Sequence, residues 1–195
     1  NPGTFVNPPF GRLLTAMVTP FAQDGSVDEK QVAHLAEYLI DNGHDGLIVC
    51  GTTGEYSTMT DDENERVFAI VKEAVGDRAS IVAGVGSNDT AHTIELARRA
   101  EKVGVDGLLV VTPYYNKPTQ HGVYAHFSTV AKATSTPIML YDIPGRASIP
   151  IAPTPTVGWQ NLIILLLLRM RRLTLAPQPT LWQPQICITT VVMMV

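Results

Sequence analysis

The sequence predicts an α/β fold built on parallel strands, and three observations carry that prediction. Strand and helix signals alternate from residue 12 to residue 142. The strand segments are continuous apolar runs, as expected where both faces of a sheet are covered, and not the alternation of a half-solvated sheet. Successive strands recur about every 30 residues, the spacing of the units in a (β/α)8 TIM barrel. A doubly wound sheet shares that periodicity and stays open on this ground alone.

The elements follow in order. Leu14 to Pro20 reads as the first strand. Ser26 and Glu29 have capping-box spacing for a helix whose Val32, Leu35, Ala36, Leu39 and Ile40 share one face, ended by Gly43. Gly46 to Cys50 is the second strand. Thr60 and Glu63 form a second capping box for a helix from Asp61 to Val75, ended by Gly76. Ser80 to Val85 is the third strand, and Leu96, Ala97, Ala100 and Val103 line one face of its helix before Gly104. Gly107 to Val111 is the fourth, followed by a loop from Thr112 to Gln120 and a helix from near Tyr124 to Ala133. Pro137 to Tyr141 is the fifth. Residues 1–152 thus supply about five units of an eight-unit barrel, and residues 153–195 have a different character.

Bulk properties exclude several classes. At 195 residues, 45% hydrophobic and 16% charged, the chain suits a single globular domain. A net charge of −4 offers no basic surface for nucleic acid. The longest aliphatic run, Leu162 to Leu168, is far too short to span a bilayer, so no membrane is expected. The first residues lack the basic start and apolar stretch of a signal peptide, and a cytoplasmic location is expected. Cys50 and Cys187 suggest neither a disulfide framework nor a zinc site. His34, His44, His92, His121 and His126 show no ligand spacing, and His121 and His126 read as solvated or capping. No metal site is expected from this spacing.

The chemistry collects at the predicted strand ends. Gly51-Thr52-Thr53-Gly54-Glu55 follows the second strand, placing two hydroxyls and several N–H groups where α/β folds bind small substrates. These five residues alone also fit an ordinary glycine turn. The fourth strand runs into Thr112-Pro113-Tyr114-Tyr115-Asn116-Lys117-Pro118, and the fifth into Tyr141-Asp142-Ile143-Pro144-Gly145-Arg146. In a barrel, Thr52, Thr53, Tyr115 and Tyr141 share one mouth, where a chain of hydroxyls can relay a proton. Arg146 adds a fork suited to a carboxylate. Taken singly, each tyrosine reads as core packing and Arg146 as a surface charge; together they read as a shared site.

These motifs resemble the dihydrodipicolinate synthase family, pyruvate-dependent class I aldolases that include N-acetylneuraminate lyase. The similarity runs from about Gly11 to about Ala152 and rests on Gly51 to Glu55, Pro113-Tyr114-Tyr115, and Tyr141 with Pro144 and Arg146. The resemblance implies a (β/α)8 barrel, here truncated, that condenses pyruvate with L-aspartate 4-semialdehyde in lysine biosynthesis, as a homotetramer with no metal and no organic cofactor. It implies that Thr53 binds the pyruvate carboxylate and that Tyr141 shuttles the proton. Thr52 and Tyr115 complete the relay, with the tyrosine pair near a tight dimer interface, and Arg146 guides the semialdehyde carboxylate. Another aldehyde acceptor within the family, or a non-catalytic truncated relative, is the alternative. Tyr56 departs from the small residue usual after Glu55.

The family's chemistry needs a Schiff-base lysine on the sixth strand, in a segment like Val-Lys-Asp-Ala-Lys. This chain has Arg169 there, whose guanidinium stays protonated and cannot attack a ketone. From Ile143 to Val195 there is no Asp, Glu or Lys, and after Arg172 no charge at all. A divergent apolar tail and a shifted reading frame both account for that composition. Codons built from the third base of one residue and the first two of the next separate them. Trp159-Gln160 then forces Ala, and Met170-Arg171 forces Ala or Glu. Leu167 to Arg172 allows Val-Lys-Asp-Ala-Lys. Thr189 to Val195 allows Tyr-Ser-Gly-Asp-Asp-Gly, its last Asp and Gly forced. The remaining frame is closed, because Met193-Met194 forces a stop codon. As written, an unclosed barrel with bare strand edges and an uncharged, β-prone tail is expected to be poorly soluble and not to form a tight tetramer. Sequencing the coding DNA across codons 145 to 195 is expected to find one inserted or deleted base near codon 153; bases that reproduce the protein as written and encode no lysine motif in the shifted frame would refute this.

Overall fold

The computed structural model describes residues 9–152 and the backbone of 191–194. The readings that fall on 153–190, Arg169 among them, lie outside the described residues. Six parallel strands form one sheet: β1 (Leu13–Ala16), β2 (Gly46–Val49), β3 (Ser80–Gly84), β4 (Gly107–Val111), β5 (Ile138–Tyr141) and β6 (Val191–Met194), in the order β5-β4-β3-β2-β1-β6. Helices α1 (Glu29–Asp41), α2 (Asp61–Val75), α3 (Thr90–Val103) and α4 (Gln120–Ala133) connect β1 through β5, and a short α5 (Pro144–Ala147) follows β5. This is half of a parallel barrel with alternating helices, as the strand spacing predicts.

Side-chain alternation along the strands divides the core in two. Leu47, Val49, Ile81, Ala83, Leu108, Val110 and Leu140 pack outward against the helix layer with Val67, Phe68, Ala97 and Phe127. The residues between them, Ile48, Val82, Leu109 and Met139, face inward with Leu14 and Phe10. Phe10 closes the lower end: a Cβ on Gly107 would lie 2.5 Å from its ring, so the glycine makes room for the aromatic. Burying such a ring contributes about 2 kcal/mol.

Two aspartates tie the strand starts together. Asp45 Oδ2 accepts from the N–H groups of Arg12 (2.8 Å) and Leu13 (2.9 Å), which hold its carboxyl below the usual range. Asp106 Oδ2 accepts from the Ile81 N–H at 2.8 Å. The two sit in parallel segments, Asp45-Gly46-Leu47-Ile48-Val49 and Asp106-Gly107-Leu108-Leu109-Val110. The helix ring repeats as well. Glu29–Arg66, Asp41–Arg78 and Asp62–Arg99 are ion pairs between neighbouring units, each 37 residues apart. These exposed pairs contribute little, so the sheet and the apolar layer set the helix register.

Several boundaries differ from those expected. The first strand ends at Ala16, not Pro20, and β2 ends before Cys50, whose φ of 49° breaks the extended run. The Thr60/Glu63 capping box forms, but Ser26 does not cap α1. Its N–H and hydroxyl both donate to Asp24 Oδ1, and Asp28 takes the cap by accepting from Gln31 N. Helix α4 begins at Gln120 because Thr119 Oγ1 caps it by accepting from Gly122 N. The edge of β1, expected to be bare, pairs with β6 in the register Leu13↔Val191 to Ala16↔Met194. Among the described residues β5 pairs with β4 alone. No helix of the described residues is long and apolar enough to cross a membrane.

His126 is also corrected: it is buried, not solvated, with Nδ1 on Thr90 Oγ1 at 2.9 Å and its ring edge-on to Phe127. Burial lowers its pKa from 6.5 to about 4, against a weaker opposing pull from Asp89. The unfolded chain binds the extra proton first. The neutral ring's contribution is therefore full above pH 6.5 and falls as pH drops toward 4, by about 3 kcal/mol in all. Urea unfolding of the wild type and His126→Gln across this window is expected to show a shallower pH slope in the variant; equal slopes would refute the assignment.

Candidate active site

The upper strand ends are held close by residues without side chains. A Cβ on Gly84 would lie 2.0 Å from the Cys50 carbonyl oxygen, and one on Gly86 2.4 Å from the Val111 nitrogen. Neither position admits even alanine without displacing backbone. The turn after β2 is built on this approach. Gly54 N donates to Gly51 O (3.1 Å) and Glu55 N to Thr52 O (3.3 Å), with Glu55 in the left-handed region at φ 58°. Buried Thr19 pins the turn from the β1 side, its hydroxyl donating to Gly54 O at 2.7 Å. Thr52 is consequently exposed on the rim, and Thr53 is half-buried behind it.

A cavity of about 20 Å³ opens where these strands end, room for one water-sized group. Gly51, Thr52, Tyr56, Gly84, Gly86 and Tyr141 are among the residues around it. Tyr141, the last residue of β5, is half-buried against both parts of the core, and its carbonyl accepts from Thr112 N at 3.2 Å. Thr52 and Tyr141, placed on one mouth by the sequence pattern, therefore line one cavity.

The other predicted residues, Thr53 among them, are not part of the cavity lining. Tyr115 does not line the cavity; it is 85% exposed in a left-handed conformation with φ 72°. Arg146 is exposed on α5, also outside the lining. Its loop is tied back at three points. Asp142 Oδ1 accepts from Ile151 N (3.2 Å), Gln120 Oε1 from Ala152 N (2.9 Å), and Gln120 Nε2 donates to Pro150 O (2.9 Å). Burial raises the Asp142 carboxyl above its usual range, partly offset by the Ile151 hydrogen bond.

Tyr56 is the cavity residue that motif reasoning missed. It opens a short 3-10 turn, Tyr56–Thr58, and its carbonyl accepts from the buried Asn64 Nδ2 at 3.2 Å. Burial raises its hydroxyl well above the ordinary range, and a hydrogen bond to Tyr114 and the nearby Tyr141 raise it further. Its departure from a small residue was the available signal.

Known proteins share this half-barrel fold. Residues 9–158 match the model of the dihydrodipicolinate synthetase family. The chain is 64% identical over 149 residues to a 4-hydroxy-tetrahydrodipicolinate synthase of Acidothermus cellulolyticus, covering 76% of this chain and 48% of that protein. It is 60% identical over 143 residues to 4-hydroxy-tetrahydrodipicolinate synthase 2 of Streptomyces coelicolor, covering 73% and 48%. A dihydrodipicolinate synthase structure from Bacillus anthracis superposes with a TM-score of 0.77 at 42% identity, over 80% of this chain and 55% of that one. One from Cyanidioschyzon merolae, with lysine bound, gives 0.73 at 47%, over 74% and 49%. The chain spans about half the length of the curated relatives it matches.

Gly84→Ala is expected to cost roughly 3 kcal/mol, the upper range of overpacking, because backbone rather than a flexible side chain blocks the new methyl. Chemical denaturation checks it; a loss below about 1 kcal/mol would contradict the close approach.

Proposed function

The chain belongs to the dihydrodipicolinate synthetase family, and on that premise we propose that its gene encodes a lyase condensing pyruvate with L-aspartate 4-semialdehyde, in cytoplasmic lysine (diaminopimelate) biosynthesis. The observation that carries this is the convergence of Thr52 and Tyr141, from separate strand ends, on one cavity. In the proposed reaction a lysine amine attacks the pyruvate ketone and water leaves. Loss of a methyl proton then gives the enamine that attacks the aldehyde. Thr53 receives the pyruvate carboxylate. Tyr141 carries protons to and from the reacting centre through Thr52 and Tyr115. Arg146 orients the carboxylate of the semialdehyde. The exposure of Tyr115 suits a phenol that works near a tight dimer interface of a homotetramer.

The 195-residue chain itself is inactive on this reading, because Arg169 stands where the family's motif would carry the lysine. Residues 153–195 are a frameshifted tail, and restoring the frame restores the Val-Lys-Asp-Ala-Lys segment. Pyruvate with borohydride reduction tests both halves by mass spectrometry. The frame-corrected protein is expected to gain one reduced pyruvate adduct on that lysine, and the 195-residue chain none. An adduct on the short chain, or none on the corrected protein, would overturn the corresponding half. Turnover with aspartate semialdehyde then distinguishes this synthase from a relative using another aldehyde.

A further inference from the structure

We propose that Thr19 is a positioning residue: its hydroxyl fixes the Gly54–Glu55 peptide plane and thereby holds Thr53 in the turn that presents it. The bond is shielded from solvent. Thr19, 5% exposed, donates to Gly54 O at 2.7 Å, and Gly54 is buried as well. Thr19 is itself held from the other side. The Pro20 carbonyl accepts from Asp28 N at 2.9 Å, Asp28 caps α1, and Met17 N donates to Ile48 O at 3.0 Å. A Cβ on Gly54 would lie 3.1 Å from the Met17 carbonyl oxygen, so the segment leaving β1 lies directly against the turn.

A peptide group is planar, so a bond that fixes the Gly54 carbonyl also fixes the Glu55 N–H. That N–H donates to Thr52 O at 3.3 Å, and Gly54 N donates to Gly51 O at 3.1 Å. The two bonds close overlapping turns, and Thr53 is a central residue of both. Glu55 then stands at φ 58°, where a side chain costs free energy that glycine would not. Such a residue keeps its conformation only where the surroundings enforce it. Glu55 is exposed, so packing of its own side chain does not enforce it. Its carbonyl is pinned by Thr58, whose N–H and hydroxyl donate to it at 3.0 and 2.9 Å, so relief is confined to the Gly54–Glu55 peptide. Turning that peptide over would bring Glu55 to negative φ, but it would pull Gly54 O off Thr19 and Glu55 N off Thr52. The strain and one hydrogen bond are of similar size. Removing the Thr19 hydroxyl leaves the buried Gly54 carbonyl without this donor, and the balance moves toward the flip.

The consequence for pyruvate rests on the proposed function, in which Thr53 receives the carboxylate. The tether itself does not, and its test uses the 195-residue chain without catalysis. Thr19→Val keeps the shape and removes the hydroxyl, whereas Thr19→Ser keeps the hydroxyl. Amide hydrogen exchange at Gly54 and Glu55 is expected to quicken about tenfold in Thr19→Val and to stay at the wild-type rate in Thr19→Ser, with the core amides of β2 and α2 unchanged in both. In a Glu55→Gly background the quickening from Thr19→Val should fall to about threefold or less, because glycine holds that backbone without help. An unchanged rate in Thr19→Val, an equal quickening in Thr19→Ser or across the core, or the full effect in the glycine background would overturn the proposal. If Thr19→Val fails to fold, the double variant with Glu55→Gly is expected to fold, and its failure would overturn the proposal too. In the frame-corrected protein, Thr19→Val is expected to raise KM for pyruvate about tenfold with kcat nearly unchanged; an unmoved KM would overturn the link to Thr53. A frame-corrected protein without turnover would count against the proposed function, while the exchange rates would still decide the tether.

Discussion

Everything at the candidate site depends on how closely the backbones of β2, β3 and β4 approach at their upper ends. Gly84 lies against the Cys50 carbonyl and Gly86 against Val111, with no room for a methyl group at either contact. That approach bends the chain out of β2 at Cys50, sets the turn carrying Thr52 and Thr53, and leaves a small cavity lined by Gly84 and Gly86 together with Leu109 and Val111. Polar chemistry at the rim then comes from hydroxyls on flanking segments, Thr52, Tyr56 and Tyr141, because the central strands contribute none. The lower ends are held differently, by the Asp45 and Asp106 carboxylates on strand N–H groups and by the Phe10 plug. One end is thus rigidified by charge and packing, while the other gains its shape from missing side chains.

Much of this was legible because it is local. The Thr60/Glu63 box, the glycines after α2 and α3 and the apolar strand runs each depend on a few neighbouring residues, and each was found where expected. Errors arose where two local solutions competed. Ser26 had the right spacing from Glu29, but Asp24 engaged it first and left the cap to Asp28. Thr119 started α4 four residues before Tyr124 because Gly122, a poor helix former, still supplied the N–H that a cap needs. His126 was misread for another reason: burial of a single histidine depends on what packs over α4, and that partner, Thr90, lies 36 residues away.

The site was legible by motif and less so by position. Thr52 and Tyr141 could be brought together from strand ends alone, since parallel strands put those ends on one face. Tyr115 and Arg146 could not be placed by the same logic, because each lies beyond its strand in a loop whose path is set by distant ties such as Gln120 to Pro150 and Ala152. Tyr56 escaped because it reaches the cavity from the short turn after β2, a placement that neither helical nor strand periodicity describes.

Cys50 sits at the pivot of the upper end, 1% exposed, with Sγ 4.0 Å from the Asn64 carbonyl oxygen and a thiol that burial keeps protonated. A thiol so placed is inert to alkylating reagents in the closed molecule. Its reaction requires the strand ends and α2 to separate, so the rate of Cys50 modification is a clock for opening of the cavity floor. The chain thereby carries an intrinsic reporter of local breathing at its most constrained point, readable without an added label.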